Sequence, residues 1–290
     1  GDKGPYLSSI AYCKYLNSNQ KVVCVSDYSC NQTKIAVDTK AINVAPRWHS
    51  KLPILYYSQF TRRNNRLMAI DLRSGLKKVV FSYDGLNMQP SFSKDGSKAV
   101  LCLSASGNSE LYLYDKNICK KVGKRVFKKL TNNKGNNISP CLLPSGNVIF
   151  CSDFQTGSPQ IFILNTKTRR VLRLTNGRGY CAAPSYCEKT NTIVYTRMLN
   201  GVFQLFSLDL NNLKNLQEKQ MTFDNADKRE PTFSECGKYV IFSNSERDSL
   251  ALKIPQIAIL NLNSGRIRIL THGQEPKSYP VWINKPFFTV

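Results

Sequence analysis

Short apolar runs recur along the chain and are cut by turn residues at nearly even spacing. One set reads Val100–Leu103, Val148–Cys151 and Tyr239–Phe242. A second reads Leu111–Tyr114, Ile161–Leu164, Leu205–Leu208 and Ile257–Leu260. Between them stand turn signals such as Lys94-Asp95-Gly96, Pro144-Ser145-Gly146 and Cys236-Gly237-Lys238. Runs of this length, rich in Val, Ile, Leu, Phe and Tyr, predict half-buried β-strands joined by tight turns.

The strands belong to a repeat. A Pro-x-aromatic or Pro-x-Leu triplet returns at Pro46-Arg47-Trp48, Pro90-Ser91-Phe92, Pro140-Cys141-Leu142, Pro184-Ser185-Tyr186, Pro231-Thr232-Phe233 and Pro280-Val281-Trp282, at intervals of 44, 50, 44, 47 and 49 residues. An Asp or Asn closes one apolar strand of each unit, at Asp27, Asp71, Asp115, Asn165, Asp209 and Asn261. Proline to the following Asp or Asn is 25 residues four times and then 30; the return is 19, 19, 25, 19, 22 and 19. Two independent markers in register predict units of four strands, labelled a to d. The triplet lies in strand a, with proline at the strand start where its missing N–H costs little. Strand d ends in Leu130-Thr131, Leu174-Thr175, Met221-Thr222 or Leu270-Thr271.

Four strands per 40–50 residues is the pattern of a β-propeller. The segment Ile10–Val37 supplies strands b to d without a triplet before it, and Pro280-Val281-Trp282 supplies a strand a with no unit after it. Each completes the other. The expectation is an all-β, six-bladed β-propeller of four-stranded antiparallel blades, closed by the C-terminal strand joining the N-terminal blade. Its parts are a leading segment (1–9) and a propeller (10–290), with blades near 10–40 plus 280–290, 45–82, 89–132, 139–176, 183–223 and 230–272. Antiparallel order puts the d–a and b–c loops on one face and the a–b and c–d turns on the other. Four d–a connections run nine residues from Thr to Pro, a regular rim suited to one shaped partner. The longer c–d segments, Lys116–Lys129 and Asn211–Gln220, fall on the opposite face, and one enlarged b–c loop, Glu246–Pro255, on the rim.

Composition adds a strong charge: 41 Lys and Arg against 19 Asp and Glu give +22, which favours an acidic partner or is a lysine-rich solvated surface. The basic residues read as scattered along the chain. The cluster Lys116, Lys120, Lys121, Lys124, Arg125, Lys128 and Lys129 is either an anion-binding tongue or a solvated insertion, without the interleaved aromatics that stack nucleobases. The ten cysteines include no C-x-x-C pair, which argues against zinc. Several lie in apolar runs, where buried unpaired thiols are expected, while the even count also permits disulfides outside the cytoplasm. No apolar run reaches the roughly 18 residues of a membrane span. The start at Gly-Asp-Lys-Gly, with no signal sequence, leads us to expect a mature form or a fragment.

Catalytic chemistry has little to build on. The two histidines, His49 and His272, read as structural or solvated. No G-x-S-x-G elbow, H-E-x-x-H motif or phosphate loop is present. No catalytic, cofactor or metal residue is expected, and the chain is read as non-enzymatic. Asn31-Gln32-Thr33 and Asn137-Ile138-Ser139 match glycosylation sequons, a frequent chance pattern.

The repeats resemble the Asp-Gly-turn propeller of the TolB family, along the full chain. Gly4-Pro5-Tyr6 leading to Ile10-Ala11-Tyr12 is similar to its lead into the first blade. Val25-Ser26-Asp27-Tyr28 is similar to its first strand c, and Tyr279-Pro280-Val281-Trp282 to its closing strand. The turn motif is degraded, most at His49-Ser50-Lys51 and Cys187-Glu188-Lys189. The resemblance implies a periplasmic protein-binding scaffold of the Tol–Pal system. It implies binding of Pal, the peptidoglycan-associated lipoprotein, at the propeller mouth, in support of outer-membrane integrity and invagination at division. It further implies a monomer that is peripheral to the membrane and binds no nucleic acid. The family's N-terminal domain and TolA-reaching segment are not in this sequence.

Carried over by motif, the Pal contacts fall on the residues before each strand-a proline. These are Leu86, Asn87, Met88 and Gln89; Ile138 and Ser139; Ala182 and Ala183; and Arg229 and Glu230. The resemblance also admits calcium in the channel, for which no ligand cluster stands in the sequence. The alternative reading is the propeller of a prolyl-oligopeptidase-like serine peptidase lacking its catalytic domain.

Overall fold

The computed structural model describes residues 8–247 and 253–284. Gly4-Pro5-Tyr6, part of the Glu246–Pro255 loop and the tail from 285 lie outside the described residues. The chain divides into two compact units, Arg47–Pro184 and the combination of Gly1–Pro46 with Ser185–Val290. It passes between them within two strands.

The elements run β1 (Ser9–Asn17), β2 (Gln20–Asp27), β3 (Thr33–Val37) and β4 (Ile42–Trp48). Next come β5 (Ile54–Phe60), β6 (Asn65–Asp71), β7 (Lys77–Phe81), β8 (Asn87–Phe92), β9 (Lys98–Leu103) and β10 (Glu110–Asp115). A helix, α1 (Lys116–Val122), precedes β11 (Phe127–Lys129), β12 (Asn137–Leu142), β13 (Val148–Ser152), β14 (Gln160–Leu164) and β15 (Val171–Arg173). Then follow β16 (Cys181–Cys187), β17 (Thr192–Leu199), β18 (Val202–Asp209), β19 (Glu218–Gln220) and β20 (Ala226–Phe233). The last are β21 (Tyr239–Glu246), β22 (Gln256–Asn261), β23 (Ile267–Ile269) and β24 (Lys277–Ile283). Four of the sheets are antiparallel meanders of four strands, β8 to β11, β12 to β15, β16 to β19 and β20 to β23. The remaining strands belong to one eight-stranded sheet, in which β2 meets β4 in a parallel pair at Lys21 and Ile42. The last described strand, β24, pairs antiparallel with β1, Ala11 opposite Val281, and β1 continues through β2 to β3.

The Asp or Asn marker closes strand c and folds the turn that follows. Oδ1 of Asp71 accepts from the N–H groups of Arg73 (2.8 Å) and Ser74 (3.2 Å). Asn165 does the same for Lys167 and Thr168, Asn261 for Asn263 and Ser264, and Asp115 for Asn117 and Ile118. These Asx turns redirect the backbone into strand d, so the marker is a local device copied into each repeat. After Asp115 the same capping starts α1, which ends at Gly123 with φ 71°. An element that read as all-β or an irregular insertion is therefore a short helix, because the capping carboxylate meets seven residues that tolerate it.

The proline marker sits differently from the expectation. It lies inside strand a rather than at its start. Met88 pairs with Cys102 and Ser91 with Val100, so Gln89 and Pro90 together oppose Leu101. The same two-for-one bulge interrupts β12 between Ile138 and Cys141, and β20 between Arg229 and Thr232. The residue before each proline is left-handed: Ala45, Gln89, Ser139, Ala183, Glu230 and Tyr279 have φ of 52–56°. Each such non-glycine residue costs about 1–3 kcal/mol, offset by the packing around it.

Packing between neighbouring sheets is apolar. In the unit Arg47–Pro184, Val100, Cys102 and Leu111 meet Val148, Phe150 and Phe162. In the other unit, Trp282 joins Ile10, Tyr12, Ile241 and Ile257, and its indole N–H donates to the carbonyl of Thr232 at 3.1 Å. Gly96 of the Asp95-Gly96 turn has φ +69°, and a Cβ there would come within 2.5 Å of the His49 ring. The Nδ1 of His49 accepts from the N–H groups of Lys51 and Leu52, both 3.0 Å, which makes this histidine a turn acceptor. The ten cysteines are free thiols, seven of them buried.

Two outcomes follow from these contacts. Trp282→Ala should lower the unfolding free energy by about 3–5 kcal/mol in denaturant titrations, since it empties the junction of β24 with the core. Hydrogen bonds from Arg73 and Ser74 hold the Asp71 carboxyl below its ordinary range. The unfolded chain then takes up the proton first as pH falls, so this stabilisation is present above about pH 4 and is lost on acidification. Asp71→Asn, which imitates Asn165 and Asn261, should preserve neutral-pH stability and flatten the acid limb of the stability-pH curve.

Candidate functional site

The d–a loops, which carry the partner positions suggested by resemblance, are held from within. Three residues before five of the six strand-a prolines stands a buried side chain that binds its own loop; before Pro184 the position is Cys181. Asn87 donates from Nδ2 to the carbonyls of Tyr83 (2.8 Å), Gly85 and Asn65 (both 3.1 Å). Asn137 donates to Asn133 Oδ1, the carbonyls of Gly135 and Ser109, and Glu110 Oε2. Asn43 donates to Thr39 Oγ1 and the carbonyl of Ala41. At Lys228 and Lys277 an ammonium does the same work. Lys228 Nζ binds Asp224 and the carbonyl of Ala226; Lys277 Nζ binds the carbonyls of His272 and Glu275, each 3.0 Å. Burial pushes both lysines below the ordinary ammonium range, against the pull of Asp224 and Glu275 respectively.

A second clamp acts at the loop's origin. Thr131, Thr175, Thr222 and Thr271 accept, at 2.8–3.1 Å, the N–H of Leu111, Ile161, Leu205 and Ile257. Each hydroxyl donates to the Glu or Gln that opens strand c: Glu110, Gln160, Gln204 and Gln256. The equal loop lengths thus have an internal cause: the nine residues span a fixed pair of anchors. Such loops are ordered before any partner arrives, which lowers the entropy lost on binding.

The residues indicated by resemblance have unequal accessibility. Asn87 is a fully buried loop anchor. Met88 and Ile138 are half-buried and pack against the Val100–Phe150 cluster. Gln89 is buried and accepts the N–H of Ser139, itself buried, at 2.8 Å, so these two residues are brought together as a link between neighbouring sheets. Glu230 repeats the link by accepting the N–H of Tyr279 at 2.7 Å. Leu86 is half-buried with its N–H on Ser104 Oγ, Ala182 is buried and Ala183 half-buried. Arg229 is exposed, its guanidinium 4.0 Å from the Phe203 ring centroid.

Sequence reasoning missed the exposed apolar side chains of the same loop ends. In the unit containing β16 to β24, Phe223 is 77% exposed in a d–a loop, with Met198 and Leu199 exposed in the neighbouring β17–β18 turn. In the other unit Tyr83 and Tyr180 are exposed in d–a loops. An aromatic residue inside an otherwise polar loop was the available signal. Beneath Phe223, buried Asp227 accepts from Arg247 Nη2 at 3.0 and 3.1 Å and from the N–H of Phe203 at 3.0 Å.

A groove of about 620 Å³ in the unit that contains β1 and β24 is lined by Tyr12, Lys14, Cys24, Cys30, His272 and Lys277 among others. Burial pushes the Cys24 thiol up to about 11 and Cys30 up to about 12. Both are protonated at neutral pH, the reverse of an activated nucleophile. Among the described residues no three His, Cys, Asp or Glu side chains gather as a metal site requires. The loop anchors have a measurable consequence. Asn137→Ala should cost about 1–3 kcal/mol, because loop carbonyls lose their donor, and should speed amide exchange across residues 132–136.

The sequence profile of the TolB beta propeller domain matches residues 1–254. The Tol-Pal system protein TolB of Helicobacter pylori is 25% identical over 240 residues, 80% of this chain and 55% of that protein. The TolB of Francisella tularensis subsp. mediasiatica is 25% identical over 295 residues, 99% of this chain and 66% of that protein. The chain thus spans little more than half to two thirds of the curated relatives it matches. The crystal structure of TolB from Acinetobacter baumannii superposes with a TM-score of 0.81 at 24% identity, over 96% of this chain and 67% of that one. A puromycin-hydrolysing peptidase from Mycobacterium tuberculosis shares the fold less closely, with a TM-score of 0.64 at 11% identity, over 89% of this chain and 42% of that one. With a family profile matched over most of its length, the chain belongs to the TolB beta-propeller family.

Proposed function

We propose that this chain is the propeller part of a periplasmic, non-enzymatic scaffold of the Tol–Pal system. Its six repeats are read as six blades closed by β24, and its d–a and b–c loop ends as the surface that receives a Pal-like peptidoglycan-associated lipoprotein. Through that contact it supports outer-membrane integrity and invagination at division. A single observation carries the reading: loops held by buried Asn and Lys anchors present the exposed Phe223 at the strand ends where Met198 and Leu199 are also exposed. A rigid apolar projection among polar loops is how protein interfaces concentrate binding energy. Within the suggested set, the exposed Arg229 and the half-buried Leu86, Met88, Ile138, Ala183 and Glu230 are the positions with surface to offer. Asn87, Gln89 and Ser139 act instead by fixing the loops.

Family membership favours this reading over that of a peptidase propeller, whose likeness is one of fold alone. Phe223→Asp combined with Leu199→Asp should weaken binding of a Pal-like domain at least tenfold, about 1.4 kcal/mol, by calorimetry. Melting temperature should stay within about a degree, because both side chains are exposed and such surface changes have small effects. Unchanged affinity in the double variant overturns the face assignment.

A further inference from the structure

The net charge is not evenly shared. Arg47–Pro184 carries 23 Lys and Arg against 6 Asp and Glu, leaving 18 against 13 for the rest, so +17 of the chain's +22 lies in one unit. The sequence reading of basic residues as scattered is therefore corrected at the level of units. Within this unit, much of the charge stands at one end of the sheets, in the a–b and c–d turns and α1. Asp71 and Asp115 at that end have their carboxylates turned onto backbone N–H groups of their own turns.

Exposed aliphatic side chains stand in the same place. Ile118 and Val122, 50% and 52% exposed, lie one turn apart on α1, where side chains four residues apart share a face. Lys120 and Lys121 between them are exposed, as is Lys124 just beyond. The helix is fixed by its fourth residue, Cys119, which is buried and whose Sγ accepts the N–H of Val126 at 3.2 Å. Arg125 Nη1 reaches the carbonyl of Val80 at 2.6 Å, and Phe127 meets Phe81 with ring centroids 5.0 Å apart. These contacts seat the segment after α1 on β7, whose leading turn exposes Leu76 (70%) beside Lys77 and Lys78. Leu52, in the turn between β4 and β5, is exposed at the same end.

We propose that this end of the Arg47–Pro184 unit docks on an anionic phospholipid surface. Ile118, Val122 and Leu76 enter the headgroup layer, and Lys120, Lys121 and Lys124 face lipid phosphates. Aliphatic side chains flanked by lysines on a short, rigidly held element suit an interface that is apolar just beneath a charged layer. A single-stranded nucleic acid would call for exposed aromatic platforms. The exposed aromatic residues of this unit, Tyr83 and Tyr180, stand instead in the d–a loops, at the other end of the sheets. Within this unit the surface lies at the strand ends opposite the d–a loops, so lipid bound there leaves those loops open.

The test is cosedimentation of the full chain with vesicles of phosphatidylcholine alone or mixed with phosphatidylglycerol. Binding is expected only to the mixed vesicles, and weakening as salt rises. Lys120→Glu, Lys121→Glu and Lys124→Glu together should lower the partition coefficient about a hundredfold, at about 1 kcal/mol for each lysine removed. Ile118→Asn with Val122→Asn, which leaves the charge intact, should lower it at least threefold. Both variants should melt like the parent and bind a Pal-like domain normally, which separates this surface from the partner face. Three results overturn the proposal: no binding to mixed vesicles; binding that neither variant alters, or that only the lysine variant alters; or retention on polyphosphate or DNA, lost in the lysine variant, without vesicle binding.

Discussion

A proline has no N–H to give to a β-ladder, and every strand a of this protein contains one. In all six the residue before the proline turns left-handed, and in β8, β12 and β20 the ladder answers with a bulge at which two residues oppose one. That kink exposes one polar side chain or N–H per strand to the next sheet. Gln89 uses it to reach Ser139, and Glu230 to reach Tyr279. Beyond the proline, Ser91 Oγ accepts the N–H of Leu142, and Ser185 Oγ that of Phe233. The strained backbone is thus also the connector, and sheets with little edge of their own are fastened in sequence through it.

The same bulge sets where the loops begin. Because strand a starts three to five residues before its proline, the anchor position at Asn43, Asn87, Asn137, Lys228 or Lys277 is already inside the sheet and buried. From there its amide or ammonium fills the concave side of the loop. An ammonium is a costly choice for a buried site, yet carbonyl and carboxylate oxygens surround it closely enough to hold it. Order in the loop is therefore supplied from below, which leaves its tip free of structural duty. Phe223 can be exposed because nothing in the fold requires it to pack.

The molecule in this way separates its two kinds of surface by chemistry. Rigid loops with isolated apolar tips lie at the d–a ends, while lysines and aliphatic side chains share the turns and short helix at the opposite strand ends of one unit. The first arrangement favours a shaped protein partner, for which preorganisation and a few buried anchors matter most. The second favours an extended anionic surface, for which many weak charge contacts add. Neither presents a buried thiol or a histidine to its partner, although the buried Cys119 holds α1 in place from beneath.

Period and chemistry of the repeat were legible in the sequence because both markers act locally. An Asx turn needs only the residues beside it, and a proline excludes its own N–H wherever it stands, so six copies announce themselves by spacing alone. The pairing of the last strand with the first was legible too, since an incomplete first repeat and a lone final strand require each other. What the sequence withheld depends on neighbours distant along the chain. Whether Met88 faces solvent or the Val100–Phe150 cluster is decided by the bulge, which shifts the alternation of faces by one residue. Equal loop lengths gave no hint of whether a partner or an internal anchor imposed them, because Asn137 finds Ser109 and Glu110 only when the sheets are side by side. The charge excess of 47–184 can be counted in the sequence, but its company of exposed Ile118, Val122 and Leu76 could not, because the turns that carry them come to one end only in the folded sheets.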